Sequence, residues 1–86
     1  MKLLKFETAH CVQCKGLEMR MKGFDAVPVE RVDCESDDER VDKYGIRNVP
    51  TLMLVDDDET AVYGQWGNVG SMSEITDAIS KLKDGD

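Results

Sequence analysis

The sequence predicts an α/β fold in which a mixed four-stranded sheet is flanked by three helices, in the order βαβαββα. Short apolar runs rich in strand-forming residues alternate with stretches whose apolar positions recur every three or four residues. A helix between the first two strands makes those strands parallel, and a tight acidic turn makes the last two antiparallel. Because a chain of 86 residues has room for one such fold, we expect a single domain over residues 1–86.

The first strand and the first helix lie on either side of a short turn. Residues 2–7 form a largely apolar run, which predicts a buried strand. From Cys14 onwards, apolar residues recur at intervals of four and three, at Leu17, Met21 and Phe24. This spacing predicts an amphipathic helix with Cys14 near its N-terminal end and Gly23 in its last turn.

The second strand and the second helix follow in the same alternation. Pro28 precedes an apolar run that includes Val29 and Val32. We expect an edge strand here, because proline is tolerated at the start or the edge of a sheet. Residues 36–39 (SDDE) supply a capping residue and early acidic side chains, and Gly45 ends the run. These signals predict a short helix between them.

The last three elements are a hairpin and a closing helix. Residues 51–55 and 60–63 form β-rich runs joined by an acidic turn, which predicts an antiparallel hairpin. Ser71 and Glu74 have the spacing of a capping box. The helix that follows has an apolar stripe made of Met72, Ile75, Ile79 and Leu82. Residues 83–86 have nothing to bury, and we expect this tail to fray.

The charge of the chain disfavours several classes of partner. Acidic residues outnumber basic ones by 18 to 11, which gives a formal net charge of -7. Such a surface repels polyanions, so we expect no nucleic-acid partner. No apolar run approaches the roughly 20 residues of a membrane span, and residues 1–7 are too short and too charged for a signal peptide. We therefore expect a cytoplasmic protein without a membrane partner, and we expect it to be a monomer.

Two of the three cysteines form the motif Cys11-Val12-Gln13-Cys14 at the predicted helix start. One helical turn brings both sulfurs to the same face, where they can form a disulfide. Cys11 lies nearest the unpaired N–H groups and the positive end of the helix dipole, so its thiolate is favoured and it is the expected nucleophile. Cys14 lies further inside the helix and is the expected resolving thiol, which attacks a mixed disulfide to release the product.

Other roles for the cysteines stay open. Together with Cys34 and His10, the pair supplies four potential zinc ligands. Closed zinc sites usually draw on two well-separated pairs, so zinc binding is the less favoured interpretation and we predict no metal site. An inert pair of buried thiols is a further alternative. For Cys34 we expect a buried packing thiol, with a regulatory or dimer-forming thiol as the alternative.

Two segments of the chain resemble the thioredoxin family. They are residues 6–15 (FETAHCVQCK), which hold the cysteine pair after a strand, and residues 44–52 (YGIRNVPTL), which lead into another strand. A C-x-x-C motif near a βαβ pattern is typical of thioredoxin-like redox motifs. The resemblance covers residues 3–82. It implies a thioredoxin-like fold without the extra N-terminal strand and helix of ordinary thioredoxins, so the chain has the size of a glutaredoxin.

The resemblance also implies the surroundings of the cysteine pair. It implies that the Val49-Pro50 peptide bond is cis, that Pro50 packs against the disulfide, and that the adjacent backbone pairs with an extended substrate segment. It assigns Gly67 to the rim of the active site, and it implies no cofactor beyond the redox-active disulfide itself. Trp66 then has two open interpretations, core packing or contact with a partner.

Charged residues near the pair depart from the family pattern. His10 stands where thioredoxins usually have tryptophan, and Lys5 stands where they bury an aspartate beneath the disulfide. With Lys15, these residues are our candidates for tuning the pKa values of the cysteine pair. For His10 the alternative is an ordinary surface histidine. For Lys5 the alternative is a side chain that snorkels to solvent, and Glu7 is a candidate replacement for the missing carboxylate.

The predicted function is the enzymatic reduction of protein disulfides by the Cys11 and Cys14 dithiol, in electron transport and cell redox homeostasis. The expected partners are disulfide-containing proteins and a reductant, either a thioredoxin reductase-like flavoenzyme or glutathione. Because the two residues between the cysteines differ from those of the family, its reduction potentials do not transfer to this chain. The alternatives are a glutathione-linked, glutaredoxin-like protein and a non-catalytic binding module that uses the surface around Cys11, Val49 and Trp66.

Overall fold

The computed structural model of the protein describes residues 1–84. Its elements are, in chain order, β1 (Lys2–Glu7), α1 (Val12–Arg20), β2 (Val29–Asp33), α2 (Asp38–Tyr44), β3 (Thr51–Val55), β4 (Val62–Trp66) and α3 (Ser73–Asp84). This order confirms the predicted βαβαββα arrangement. Among the helices described, none combines the length and the apolar character needed to cross a membrane.

The four strands form one mixed sheet in the order β2-β1-β3-β4. Parallel pairing places Leu3 of β1 beside Val29 of β2, and antiparallel pairing places Leu3 beside Leu54 of β3. Strand β4 pairs antiparallel with β3. The edges of the sheet are therefore β2 and β4, and the edge position predicted for β2 is confirmed.

Two apolar clusters cover the two faces of the sheet. Since successive side chains of a strand point to opposite faces, Leu3 packs on one side, whereas Leu4 and Phe6 pack on the other. The first cluster joins α1 and α3 to the sheet through Leu3, Leu17, Met21, Val27, Leu52, Leu54, Met72, Ile75 and Ile79. The second cluster consists of Leu4, Phe6, Val32, Met53 and Val55, with Tyr44 of α2 packed against it. The helices therefore flank the sheet on both sides.

Helix α1 is shorter than its apolar spacing predicts. It covers Val12–Arg20, with Cys11 as N-cap and Met21 as C-cap, whereas the spacing extends to Phe24. The chain turns at Gly23, whose φ of 79° lies in the left-handed region that favours glycine. The helix therefore ends before this turn, and Phe24 packs against the first cluster from outside the helix.

The hairpin loop is longer than the sequence predicts. The Asp56 carboxylate accepts hydrogen bonds from the Thr60 backbone N–H (2.7 Å), the Thr60 hydroxyl (2.7 Å) and the Ala61 backbone N–H (3.2 Å). These local bonds hold Thr60 and Ala61 in the loop and compete with strand pairing. Strand β4 therefore begins at Val62 and ends at Trp66. The predicted strand at residues 60–63 is wrong at both ends, and Trp66 is part of β4.

Capping residues define both ends of α2, and lysines favour the C-terminal end of α3. At the start of α2, the Asp37 carboxylate accepts a first-turn backbone hydrogen bond at 3.1 Å, and Gly45 ends this helix with a φ of 62°. Helix α3 continues to Asp84, so the predicted fraying does not begin at residue 83. Lysines in its last turn favour this end, because they oppose the negative pole of the helix dipole. The rest of the predicted tail, residues 85 and 86, lies outside the described residues.

Candidate redox site

The cysteine pair lies where β1 leads into α1. Cys11 is the N-cap of α1, and its Sγ accepts a hydrogen bond from the Cys14 backbone N–H at 3.0 Å. A disulfide joins the two residues, whose Cα atoms are 5.2 Å apart. Cys14 is buried, with 3% of its surface exposed, whereas Cys11 is half-buried beside the exposed Val12. An outer sulfur at a helix N-terminus and an inner sulfur one turn later suit thiol-disulfide exchange.

A groove with a volume of about 600 Å³ reaches Gln13, which lies between the two cysteines in the sequence. It is lined by Gln13, Asn48, Val49, Pro50, Thr51, Gln65, Trp66, Gly67 and Asn68. The peptide bond between Val49 and Pro50 is cis. The Thr51 hydroxyl donates to the Asn48 carbonyl at 2.7 Å, which ties the chain together across the cis bond. Gly67 is exposed and lines the same groove, so the structure brings the predicted rim residues together there.

Trp66 contributes to both the core and the groove. Its ring packs against the first apolar cluster and also lines the groove. The indole occupies the space beside Gly64, where an added Cβ would lie 2.5 Å from Trp66 Cη2. The core-packing interpretation of Trp66 therefore agrees with the structure. Contact between Trp66 and a partner stays a proposal, which its position in the groove supports.

Lys5 is buried on the side of the sheet that α1 covers. Its side chain is 3% exposed, and its Nζ donates to Glu7 Oε1 at 2.6 Å and to Glu18 Oε2 at 2.8 Å. Glu18 also pairs with Arg31 of the neighbouring strand. The alternative in which Lys5 snorkels to solvent is wrong, because two carboxylates compensate its charge inside the fold. Glu7, the candidate replacement carboxylate, is engaged in holding this lysine.

The charges around Lys5 surround a cavity of about 320 Å³ that Cys14 also lines. The charged residues in its lining are Lys5, Glu7, Lys15, Glu18 and Arg31. Hydrogen bonds from Arg31 and Lys5 hold the pKa of Glu18 below its usual value. The structure thus brings two of the proposed tuning residues, Lys5 and Lys15, to the same cavity as the inner sulfur.

The remaining candidate residues lie in less specialised surroundings. His10 is exposed in the turn before α1. Cys34 is free and half-buried, and it packs against the second apolar cluster. Burial, reinforced by the Asp33 carboxylate, raises the pKa of the Cys34 thiol, as suits a packing thiol. Across residues 1–84, no group of three or more His, Cys, Asp or Glu side chains is arranged to hold a metal ion.

The family model for thioredoxin matches residues 1–81 of the chain. The chain belongs to the thioredoxin family. The mixed sheet with helices on both faces is therefore a thioredoxin fold, as the sequence predicts. Members of this family are typically disulfide oxidoreductases that need no cofactor, and this thioredoxin-family chain holds its cysteine pair at disulfide distance. No curated protein sequence matches the chain.

Solved thioredoxin structures share the fold of this thioredoxin-family chain. Thioredoxin 1 from Thermosipho africanus TCF52B aligns with a TM-score of 0.74 at 22% identity, over 98% of this chain and 96% of that one. A mutant thioredoxin from Halobacterium salinarum NRC-1 gives 0.76 at 24% identity, over 93% and 72% of the two chains. Trichomonas vaginalis thioredoxin gives 0.72 at 23% identity, over 94% and 78%. The first alignment also shows that a thioredoxin can have this short length.

Two charged residues around Cys14 in this thioredoxin-family chain, Glu18 and Arg31, are not among the site residues predicted from the sequence. Glu18 lies four positions after Cys14 in α1, so helical spacing places both on one face. Arg31 lies directly beside Lys5 in the paired strands. The helical spacing was available as a signal, but the strand neighbour depends on the pairing register, which the sequence does not state.

Proposed function

We propose that this protein reduces disulfide bonds in other proteins by thiol-disulfide exchange. The observation that carries the proposal is the combination of a half-buried Cys11 at the N-terminus of α1 with a buried Cys14 one turn later. Helix N-terminal N–H groups favour a thiolate, and the Cys14 N–H is directed at Cys11 Sγ at 3.0 Å. Cys11 is the nucleophile of the proposed reaction, and Cys14 is its resolving residue.

The reaction starts from the reduced pair. The Cys11 thiolate attacks one sulfur of a substrate disulfide, and the first substrate thiolate leaves and takes up a proton. Cys14 then loses its proton, attacks Cys11 Sγ and breaks the mixed disulfide, so that the second substrate thiolate leaves and is protonated. The substrate gains two electrons and two protons, and the cysteine pair is left as a disulfide.

The groove beside the pair supports a polypeptide as the substrate. All nine residues that line it are uncharged. Four of them carry carboxamides, which offer both donors and acceptors to a peptide backbone: Gln13, Asn48, Gln65 and Asn68. Glutathione carries two carboxylates and gains no cation from this lining. We therefore assign the groove, with Val49, Pro50 and Gly67 at its rim, to an extended segment of a protein substrate.

We propose a thioredoxin reductase-like flavoenzyme as the reductant, in the cytoplasm. A chain of glutaredoxin size is compatible with glutathione as reductant, but the Thermosipho africanus thioredoxin aligns over 96% of its own length with 98% of this chain. Length therefore does not favour a glutaredoxin. Consumption of NADPH through such a flavoenzyme, compared with consumption through glutathione and glutathione reductase, tests the choice. Faster turnover through glutathione would favour the glutaredoxin-like alternative.

Insulin reduction with dithiothreitol as electron donor tests the proposed activity, with turbidity as the readout. We expect Cys11→Ser to lose activity down to the background rate. Cys14→Ser is expected to lose turnover and to accumulate a mixed disulfide with the substrate, which mass spectrometry detects. Cys34→Ser is the matched control and keeps its activity. An inactive wild-type protein would contradict the proposal and favour the binding module, and so would an active Cys11→Ser variant.

A further inference from the structure

Strand β1 carries two lysines, and each of them forms ion pairs with two glutamates. Lys2 Nζ lies 3.0 Å from Glu30 and 3.0 Å from Glu59. Lys5 Nζ lies 2.6 Å from Glu7 and 2.8 Å from Glu18. Both lysines are therefore held by two carboxylates, and Lys5 also lines a cavity together with Cys14 of the redox pair.

The cavity beside Cys14 has a positive balance of charge. Its lining includes three cations and two anions: Lys5, Lys15, Arg31, Glu7 and Glu18. An ammonium has three N–H donors, and the glutamates account for two of those of Lys5. Burial weakens solvent screening, so the charge of Lys5 acts strongly on its neighbours. Among the three cations, Lys5 is the buried one, whereas Lys15 and Arg31 are exposed, so solvent screens the charge of Lys5 least.

We propose that Lys5 is a positioning residue for the resolving step, and that its buried ammonium, held between Glu7 and Glu18, stabilises the thiolate of Cys14. This inference rests on the proposed reductase function. During resolution, Cys14 loses its proton to a solvent base and the negative charge stays on Sγ, in the cavity that Lys5 also lines. The thiolate then attacks Cys11 Sγ, and the substrate thiolate leaves with the electron pair of the mixed disulfide and takes a proton from solvent.

One of the two carboxylates that hold Lys5 is ionised around neutral pH. Arg31 and Lys5 hold the pKa of Glu18 below its usual value, so Glu18 stays ionised and keeps Lys5 in place. The other charged groups that face the cavity are Glu7 on β1 and Lys15 on α1. A lone buried carboxylate would instead gain and lose its charge with pH. Lys5 thus acts on Cys14 as a nearby positive charge, and its ammonium does not accept the Cys14 proton.

The experiment measures the thiol pKa of Cys14 in a Cys11→Ser, Cys34→Ser background, where Cys14 is the sole thiol. The rate of alkylation by iodoacetamide is followed against pH. Lys5→Met is expected to raise the pKa of Cys14 by about 1 or more, because it removes the cation and leaves two carboxylates. Lys5→Arg is expected to keep the original value, since it restores the charge. Lys2→Met is the matched control from the same strand and should leave the value unchanged.

A second variant keeps the test decisive if Lys5→Met fails to fold. Glu7→Gln retains an acceptor for Lys5 but removes one anion from the cavity, so the pKa of Cys14 should fall. Circular dichroism and thermal unfolding check that each variant is folded. A Cys14 pKa that stays the same in folded Lys5→Met, or in Glu7→Gln, overturns the inference. Because this background has no reductase activity, its outcome is separate from that of the insulin assay.

Discussion

The absence of a side chain at Gly64 leaves the space that the Trp66 indole occupies. A Cβ at Gly64 would lie 2.5 Å from Cη2 and 3.0 Å from Cζ2 of the ring, and these distances are too short for carbon atoms. Residues two apart on a strand share a face, so this contact follows directly from β4 geometry. The position of one wall of the groove therefore depends on a glycine that does not itself line it.

Substitution of Gly64 should be visible in both fluorescence and binding. Gly64→Ala is expected to displace the indole and to destabilise the protein by about 1–3 kcal/mol, the usual cost of overpacking. The emission of Trp66, the one tryptophan of the chain, should shift, and KM for insulin should rise. Gly70→Ala is the control, since a Cβ there meets nothing within 4 Å. Unchanged emission in Gly64→Ala would contradict this packing.

The Cys34 thiol should react slowly with alkylating agents. Burial raises its pKa, so a smaller fraction is thiolate at pH 7 than in a free cysteine, and the thiolate is the reactive form. In a Cys11→Ser, Cys14→Ser variant, iodoacetamide is expected to modify Cys34 more slowly than it modifies free cysteine. The difference should vanish in concentrated urea. Equal rates in the folded and unfolded protein would show that Cys34 is not the packing thiol described above.

At the scale of elements, helix α2 depends on its two ends. It has seven residues and none of them is buried, so packing stabilises it less than the other helices. The Asp37 carboxylate accepts the Arg40 backbone N–H at 3.1 Å, and Gly45 closes the helix in the left-handed region. Short helices form with difficulty in isolation, and caps of this kind contribute a large share of their stability.

The N-cap of α2 provides a direct test of this dependence. Asp37→Ala is expected to lower the free energy of unfolding by about 1 kcal/mol, because a first-turn N–H loses its acceptor. Urea denaturation at pH 7 measures the change. Asp38→Ala, which removes an exposed acid from the same turn without removing the cap, should cost only a few tenths of a kcal/mol. Equal losses in the two variants would assign the effect to helix dipole charge instead of capping.

Elements whose signals are local were predicted well from the sequence. Strand β3 covers Thr51–Val55 as predicted, because five consecutive apolar or β-branched residues are all buried there. Strand β4 was misplaced because the Asp56 side chain extends the loop through Thr60 and Ala61. That competition between a side chain and the strand ladder is not visible in apolar spacing.

The parts of the candidate site that are close together in the sequence were predicted, and those that tertiary structure brings together were not. The cysteine pair follows from spacing alone, and the cis bond before Pro50 came from the resemblance to the family. The burial of Lys5 depends on its ion pair with Glu18 of α1, which also pairs with Arg31 of β2, and tertiary structure alone brings these residues together. A buried lysine is uncommon, and the sequence offered no way to tell compensation within the fold from exposure to solvent.

At the scale of the whole molecule, one ionic network ties four segments together. Glu59 in the hairpin loop accepts hydrogen bonds from Arg40 of α2 at 2.6 Å and from Lys2 of β1 at 3.0 Å. Both cations also pair with Glu30 of β2. The Glu59 side chain is 14% exposed. Arg40 and Lys2 lower its pKa to about 2, against a burial effect in the opposite direction.

The stability of the protein should therefore depend on acid through Glu59. A carboxylate whose pKa is lower in the folded state stabilises fully above its unfolded pKa, and this contribution is lost as pH falls through the folded pKa. The pKa of Glu59 is 4.5 in the unfolded chain and about 2 in the folded protein. This difference corresponds to a loss of about 3 kcal/mol in the free energy of unfolding. We expect wild-type and Glu59→Gln to differ most at pH 7 and to converge towards pH 2 in urea denaturation. Glu39→Gln, an exposed control, should show no such trend, and a difference that is constant with pH would contradict the assignment.

The two lysines of β1 restrict the register in which this strand can pair with its neighbours. Lys2 and Lys5 are three positions apart, so they point to opposite faces, and each meets its own pair of glutamates. A slip of β1 by one residue would exchange the faces and separate both ammonium groups from their partners, and an unpaired buried charge costs several kcal/mol. An entirely apolar strand would tolerate such misalignment far better. The two lysines thus penalise misaligned pairings of β1.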